Sequence, residues 1–419
     1  MDKLVIQGGK VLSGTVRASG SKNAALPILF ASILSSKKLI FSRVPRLRDI
    51  STTLDLLRGL GARAEQEGNL VEIEIPKLNS TEAPYDLVRT MRASILVLGP
   101  LLAREGRAKV SLPGGCAIGT RPVDLHLEGL KKMGAEFELK EGYIWGSCSG
   151  GLRGAEIEFR FPSVGATENI LMAATLARGR TVIKNAACEP EIINLAEALK
   201  KMGAKISGEG SDEILIDGVV SLGGADISIM FDRIEAGTLL LAGPITGGST
   251  RVEGVDMGCL GAFVRELRAS GMHITEGKDF LEARLGDNTR AISFKTDPYP
   301  GYPTDLQAQL MAYLAQVPGT SSVEETIFEN RFMHVPELNR MGATINTRGA
   351  RAEISGKKNC YSGAVVMATD LRASASLVLA GLAAAGETQV RRIYHLDRGY
   401  EEIEKKLQAL NGTVYRVKE

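Results

Sequence analysis

The chain has 419 residues, room for two or three domains of ordinary size, and its 51 basic and 49 acidic side chains leave a formal charge of only +2. Near-neutrality excludes a general nucleic-acid binder working through a global field, so any anion binding has to come from local placement of Arg and Lys. Charged residues at 24% and apolar ones at 44%, with no long polar tract, exclude a disordered protein.

In chain order, Met1-Asp2-Lys3-Leu4-Val5-Ile6 reads as a strand, with no apolar leader of the secretory kind, and no later apolar run reaches the roughly 18 residues of a membrane span. A cytoplasmic location is the expectation. Six segments that are apolar on nearly every side then follow at intervals: NAALPILFASILSS from Asn23, RASILVLGPLLAR from Arg92, ATENILMAATLAR from Ala166, AGTLLLAGPITGG from Ala236, DLQAQLMAYLAQ from Asp305 and DLRASASLVLAGLAAAG from Asp370. Such patterns predict helices inside a core. Between them lie stretches that predict strands, among them 38–44, 70–75, 107–112 and 181–184.

A second phrase alternates with the first set: LRGLGA from Leu57, LKKMGA from Leu130 and again from Leu199, LRASGM from Leu267, LNRMGA from Leu338 and LQALNG from Leu407. The fifth residues of these six copies stand 68 to 73 residues apart. Each copy has the chemistry of a helix end, with a buried Leu, basic or polar residues in the last turn, then Gly or Asn free to take positive φ. One or two strands should follow each.

Six repeats of about 70 residues therefore predict an α/β (α+β) fold of two domains, three repeats per domain, with buried helices surrounded by sheets and outer helices. The expected lobes are 21–225 and, discontinuously, 1–20 plus 226–419, the chain crossing back near Val219 to Ala225.

Polar residues crowd the starts of the buried helices: Lys22 and Asn23, Arg92, then Ser163, Thr167 and Glu168, then Glu235, Thr304 and Asp305, and Asp370 with Arg372. Capping alone accounts for Asp, Ser and Thr there. Arg and Lys oppose the dipole unless an anion is bound, so converging starts would make a site for a heavily anionic ligand. Two familiar phosphate loops are excluded: Gly14 and Gly20 are spaced wrongly for a Walker motif and no hydroxyl residue follows Lys22, and no G-x-G-x-x-G follows a strand.

Five cysteines without a Cys-x-x-Cys pair fit free thiols, and His126, His273, His334 and His395 lack metal-ligand spacing. No structural zinc is expected. Cys116 stands apart in LPGGCAIGTRPVDLHLEGL, Leu112 to Leu130, where flanking glycines predict a mobile, exposed loop and Arg121 lies close enough to favour a thiolate. Cys148, Cys188, Cys259 and Cys360 have no such setting and read as packing.

These segments, together with SKNAALPILFA from Ser21, RTMRASILVLGPL from Arg89, FPSVGATENILMAA from Phe161, YPGYPTDLQAQ from Tyr299, ETIFENRFMHV from Glu325, ATDLRASASLVLAG from Ala368 and LDRGYE from Leu396, resemble the UDP-N-acetylglucosamine 1-carboxyvinyltransferase family of enolpyruvyl transferases over the whole length. The resemblance implies a pair of inside-out α/β barrels of three repeats each. It also implies transfer of the enolpyruvyl group of phosphoenolpyruvate to the 3-hydroxyl of UDP-N-acetylglucosamine, the first committed step of peptidoglycan precursor synthesis. Neither a metal nor an organic cofactor is implied, and the partners are these two small molecules rather than nucleic acid, membrane or an obligate protein.

Carried over residue by residue, Cys116 is the general acid, able also to add to phosphoenolpyruvate, and Asp305 takes the hydroxyl proton. Lys22, Arg121 and Arg398 would hold the phosphate, while Arg372 with Arg331 would face the carboxylate side and the charged intermediate, and Asp370 is counted among the substrate-binding residues. The nucleotide sugar falls to Asn23, Arg92, Arg121, Pro122, Val123, Asp124, Leu125, Ser163, Val164, Gly165, Asp305 and Ile327. Phe161 departs from the pattern, standing where some relatives carry a lysine. His126 is equally readable as part of an ordinary helix start after Pro122. Two other readings stay open: a shikimate 3-phosphate enolpyruvyl transferase, which lacks the Pro-Gly-Gly-Cys loop, and a UDP-sugar sensor, which should have lost Cys116 or Asp305.

Overall fold

All six copies of the recurring phrase end a helix. In the computed structural model, which describes residues 2–89, 91–112 and 123–418, the helices are Arg48–Leu60, Asp124–Lys132, Pro190–Lys201, Gly261–Ala269, Val335–Arg340 and Ile403–Ala409. Gly61, Gly134, Gly203, Gly271, Gly342 and Asn411 then take φ between 69° and 112°. In every copy the next N–H reaches back to the carbonyl of the leucine that begins the phrase, as Ala62 does to Leu57 at 2.9 Å and Gly412 to Leu407 at 2.9 Å. This is the Schellman closure, and a side chain with Cβ resists the left-handed turn it needs. Asn411 is tolerated there because its short polar side chain accepts that region better than other non-glycine residues.

Each helix end leads into strands, and the strands assemble into six four-stranded sheets of one design. Glu156–Glu158 runs parallel to Arg180–Lys184, which pairs antiparallel with Glu213–Asp217, which pairs antiparallel with Lys205–Ser207. The parallel pair requires a crossover, and the crossover is the buried helix, here Val164–Ala174. The antiparallel pair needs only a short turn.

Three sheets borrow a strand from far along the chain. Ala225–Ser228 lies parallel to Leu39–Ser42, Ser13–Arg17 lies parallel to Ser249–Glu253, and Asp2–Gln7 is inserted between Glu387–Arg391 and Thr413–Lys418. The described residues accordingly divide into two compact units, one of 2–19 with 231–418 and one of 20–112 with 123–230. The division falls after Met230 rather than near 219–225, because the strand Ala225–Ser228 is hydrogen-bonded into the sheet of Leu39–Ser42 and belongs with it.

The crossover helices are buried on all sides: every residue from Ala24 to Phe30 of Lys22–Phe30, all of Arg233–Ala242, and Arg372 to Leu382 of Leu371–Ala383. Burying a helix completely requires that its neighbours present apolar faces all round, and the outer helices and inner sheet faces do so. The segment from Arg92 departs from the expected single helix. It starts as a 3-10 turn, Arg92–Val97, and becomes α-helical only at Leu98–Glu105. Pro100 has no N–H to give the carbonyl four residues earlier, which disfavours a continuous α-helix from Arg92, although Pro27 is accommodated inside Lys22–Phe30. No helix among the described residues is long and apolar enough to cross a membrane.

Candidate active site

In the unit of 20–230, two of the buried helices start on a serine cap, while the turn from Arg92 follows Met91 without a side-chain cap. Ser21 Oγ accepts the Ala24 N–H at 3.3 Å and Ser163 Oγ accepts that of Ala166 at 3.4 Å. Capping thus explains the serines and leaves the cations. Lys22, the first residue of its helix, reaches Asp49 Oδ2 at 3.4 Å, with side-chain exposures of 12% and 4%. Asp49 sits in the first turn of Arg48–Leu60 and was not singled out by sequence; nothing in its spacing marks it as a partner of a lysine 27 residues away.

Arg92 opens its 3-10 turn, and its charge acts on His126. Burial first, and Arg92 second, bring the imidazole down to about 4, so it is neutral at physiological pH. His126 is on the helix Asp124–Lys132, whose first residue pairs with Arg160, as Glu128 does at 3.5 Å. Arg160 also lies 5.6 Å from the ring of Phe161, which is 48% exposed. The residue next to the departure from the family pattern is therefore a cation already matched to acidic side chains of the Asp124 helix. Val123 precedes that helix, Leu125 is buried in it, and Val164 and Gly165 follow the Ser163 cap. Asn23 lies half-buried beside Lys22. Cys116, Arg121 and Pro122 lie outside the described residues.

In the other unit, Asp305 is the hub. Its Oδ1 accepts from Arg331 Nη2 and its Oδ2 from Arg372 Nη2, each at 2.6 Å. The two guanidinium side chains are 3% and 6% exposed and the carboxylate 26%. Burial works against the charge of Arg372, but Asp305, with Tyr400 and Asp232 near it, outweighs that and raises its pKa. Asp370 caps the helix Leu371–Ala383, accepting the N–H groups of Arg372 at 2.8 Å and Ala373 at 3.0 Å, and so aims Arg372. Asp232 does the same for Arg233–Ala242, a helix that begins three residues before the apolar run from Ala236.

Glu325 is the residue that sequence reasoning quoted without giving it a role. Its carboxylate accepts Thr296 Oγ1 at 3.0 Å, Thr304 Oγ1 at 2.9 Å and the N–H groups of Ile327 at 2.9 Å and Phe328 at 3.1 Å. It joins the loop that carries Ile327 to the turn that carries Asp305. Beneath them, Gln309 Nε2 donates to the Asp305 carbonyl at 3.0 Å and meets Thr238 and Tyr400. His334, 1% exposed, is brought to about 4 by burial, with Asp370 opposing and Arg331 assisting. Arg398 lies in the short turn Leu396–Arg398 and, after burial, is the main charge lowering His395.

The sequence-predicted residues thus fall into two sets. Lys22, Asn23, Arg92, Val123, Asp124, Leu125, Ser163, Val164 and Gly165 belong to one unit; Asp305, Ile327, Arg331, Asp370, Arg372 and Arg398 belong to the other. Among the described residues, Asp305 is in direct contact with both Arg331 and Arg372. Chemically this group is an anion-and-cation centre: a fixed carboxylate able to take a proton, beside guanidinium groups able to hold carboxylate or phosphate. Burial raises the thiol pKa of Cys148, Cys188 and Cys360, which suits packing rather than nucleophilic work. Among the described residues no three of His, Cys, Asp and Glu are grouped to hold a metal ion.

Residues 6–407 match the family model described as EPSP synthase (3-phosphoshikimate 1-carboxyvinyltransferase). A protein named UDP-N-acetylglucosamine 1-carboxyvinyltransferase from Nitratidesulfovibrio vulgaris (strain DP4) is 58% identical over 417 residues, 99% of both chains. One of the same name from Oleidesulfovibrio alaskensis is 57% identical over 419 residues, 100% of both chains. Among solved structures, the enolpyruvyl transferase NikO from Streptomyces tendae superposes with a TM-score of 0.90 at 24% identity, over 99% of both chains. EPSP synthase from Acinetobacter baumannii does so with a TM-score of 0.77 at 18% identity, over 100% of both. At those identities the structures speak for the fold alone.

Proposed function

The chain belongs to the EPSP synthase (3-phosphoshikimate 1-carboxyvinyltransferase) family, and from that premise we propose that it transfers the enolpyruvyl group of phosphoenolpyruvate to the 3-hydroxyl of UDP-N-acetylglucosamine, releasing phosphate. The observation that carries this reading is the 57–58% identity, over essentially the full length of both partners, to proteins named for that reaction. The likeness to EPSP synthase structures is far weaker in sequence, at 18%. In a cell this activity supplies a peptidoglycan precursor, and the small-molecule substrates are in keeping with a cytoplasmic enzyme.

The roles follow from the chemistry each step needs. A proton is added to the methylene carbon of phosphoenolpyruvate, with Cys116 as the acid. The neighbouring carbon accepts the sugar hydroxyl oxygen, whose proton passes to Asp305. The resulting tetrahedral ketal loses phosphate through cleavage of its C–O bond, and loss of a proton from the methyl group restores the double bond in the enol ether. Atoms balance: one phosphoenolpyruvate and one alcohol give one enol ether and one phosphate.

The arrangement around Asp305 supports this assignment. A base must be held still while its partner approaches, and two buried guanidinium groups fix both carboxylate oxygens of Asp305. The same cations would stabilise the negative charge of the donor's carboxylate. Lys22 and Arg398, with Arg121, are assigned to the phosphate. Asn23, Arg92, residues 121–125, Ser163 to Gly165 and Ile327 are assigned to the nucleotide sugar, with the Glu325 carboxylate placing Ile327.

Phosphate release from phosphoenolpyruvate, measured with UDP-N-acetylglucosamine and then with shikimate 3-phosphate as acceptor, tests the reading. Release with the first acceptor alone is expected. Release with shikimate 3-phosphate alone would transfer the assignment to the other branch of the family, and none with either would leave the sensor reading.

A further inference from the structure

Asn169 is completely buried in the helix Val164–Ala174, yet each polar atom of its side chain is engaged. The Gly99 N–H donates to its Oδ1 at 2.7 Å, which fixes the amide orientation and leaves Nδ2 as the donor on the other side. That Nδ2 lies 3.2 Å from the Ile95 carbonyl and 3.0 Å from His126 Nδ1. His126 Nδ1 therefore accepts, and the neutral ring carries its proton on Nε2. The Nε2 edge then lies against the first turn of the Asn169 helix: a Cβ at Gly165 would sit 3.3–3.4 Å from Cε1 and Nε2. At Gly99 a Cβ would come within 2.3 Å of Asn169 Oδ1. Two glycines, one on each side, permit this close approach.

Three separate stretches meet at this amide. One is the Arg92–Val97 turn with Gly99, the second is the Asp124–Lys132 helix, and the third is the Ser163-capped helix. On the reading of function above, on which this inference rests, all three carry contacts to the nucleotide sugar, and neither Asp305 nor its arginines belong to any of them. We propose that Asn169 and His126 are a pair of positioning residues for the UDP-sugar acceptor. Asn169 acts through His126 and through the Ile95 and Gly99 backbone, setting the spacing of the acceptor-binding stretches without touching the reacting atoms. Sequence reasoning passed over Asn169 because an Asn within an apolar helix carries no mark of which neighbours, 43 and 74 residues away in the chain, will face it.

The test is equilibrium binding of UDP-N-acetylglucosamine by calorimetry, with steady-state kinetics, on the full chain. Asn169→Leu keeps the volume and removes the three hydrogen bonds; His126→Phe keeps the ring and removes only the bond to Asn169 and the Nε2–H. Each should weaken acceptor affinity, and raise its KM, roughly tenfold, the equivalent of losing one to two hydrogen bonds, while kcat stays within about twofold. His126→Asn, whose Oδ1 replaces the Nδ1 acceptor, should recover most of the lost affinity. Thr167→Val supplies the control: it removes a buried bond from the same helix, to the Ala187 N–H, and should lower the melting temperature without changing acceptor KM. If Asn169→Leu does not fold, His126→Phe and His126→Asn decide. Unchanged acceptor affinity in His126→Phe, or an equal loss in Thr167→Val, would overturn the positioning role while the wild-type chain still turned over the UDP-sugar. A wild-type chain that bound no UDP-N-acetylglucosamine would overturn the functional reading and this inference with it.

Discussion

Asp305→Ala removes the one carboxylate that two buried guanidinium groups share, and its consequences can be worked out from the burial. Deleting one partner of a buried ion pair costs about 3–5 kcal/mol, because the remaining charge is left uncompensated in a poor solvent. The Asp305 side chain is 26% exposed while Arg331 and Arg372 are 3% and 6% exposed, so the low end applies. A cost of about 3 kcal/mol corresponds to a fall of roughly 6–12 °C in the melting temperature of a unit of this size. Scanning calorimetry at low ionic strength measures it directly. Added sulfate should return part of the loss, since an oxyanion can take the place of the carboxylate between the two arginines. In the same variant turnover should fall by far more than UDP-sugar affinity. A melting shift of less than about 2 °C with no response to sulfate would refute the account of the Asp305 centre, and a pure affinity loss would mean that Asp305 only positions the sugar.

The remaining predictions concern thiol chemistry and pH. Cys116→Ser should abolish turnover and covalent labelling by a thiol-directed epoxide, whereas peptide mass spectrometry of the labelled wild type should find Cys148, Cys188 and Cys360 unmodified; labelling that persists in the variant would move the acid elsewhere. His126 and His334 are each held near 4 in the folded chain against about 6.5 unfolded. Their contribution to stability is complete above pH 6.5 and is lost as pH falls from there towards 4, by about 1.4 kcal/mol per pH unit for each. Urea midpoints between pH 7 and 4.5 should show that slope, and His334→Gln should lessen it. Burial, together with the Glu191 and Glu189 carboxylates, raises the Glu168 pKa well above its usual value. Its stabilising contribution is thus present at acid pH and lost as pH rises, so Glu168→Gln should raise the melting temperature at pH 8 and leave it nearly unchanged at pH 5.

The repeat was legible because its signal is local. A leucine, a polar turn and a residue that tolerates positive φ are adjacent in the chain, and the Schellman bonds at Leu57, Leu130, Leu199, Leu267, Leu338 and Leu407 involve only those neighbours. The buried helices were legible for the same reason, although the segments at Arg92 and Asp305 each open with a 3-10 turn that hydrophobicity alone does not show. The second chain crossing was placed too early because Ala225–Ser228 is four residues long and earns its place by pairing with Leu39–Ser42, some 186 residues away. Site residues divide in the same way. Lys22, Arg92 and Arg372 stood out as cations at helix starts, while Asp49, Glu325 and Asn169 take their importance from partners distant in the chain.

The most direct measurement is the structure of the product. UDP-N-acetylglucosamine and phosphoenolpyruvate are incubated with the chain, and the nucleotide sugar is recovered for mass spectrometry and proton NMR. The account predicts a UDP-sugar heavier by one enolpyruvyl group, with two vinylic protons and the ether at the 3-oxygen. Unaltered UDP-N-acetylglucosamine, under conditions where shikimate 3-phosphate is converted or where no acceptor is, would contradict it.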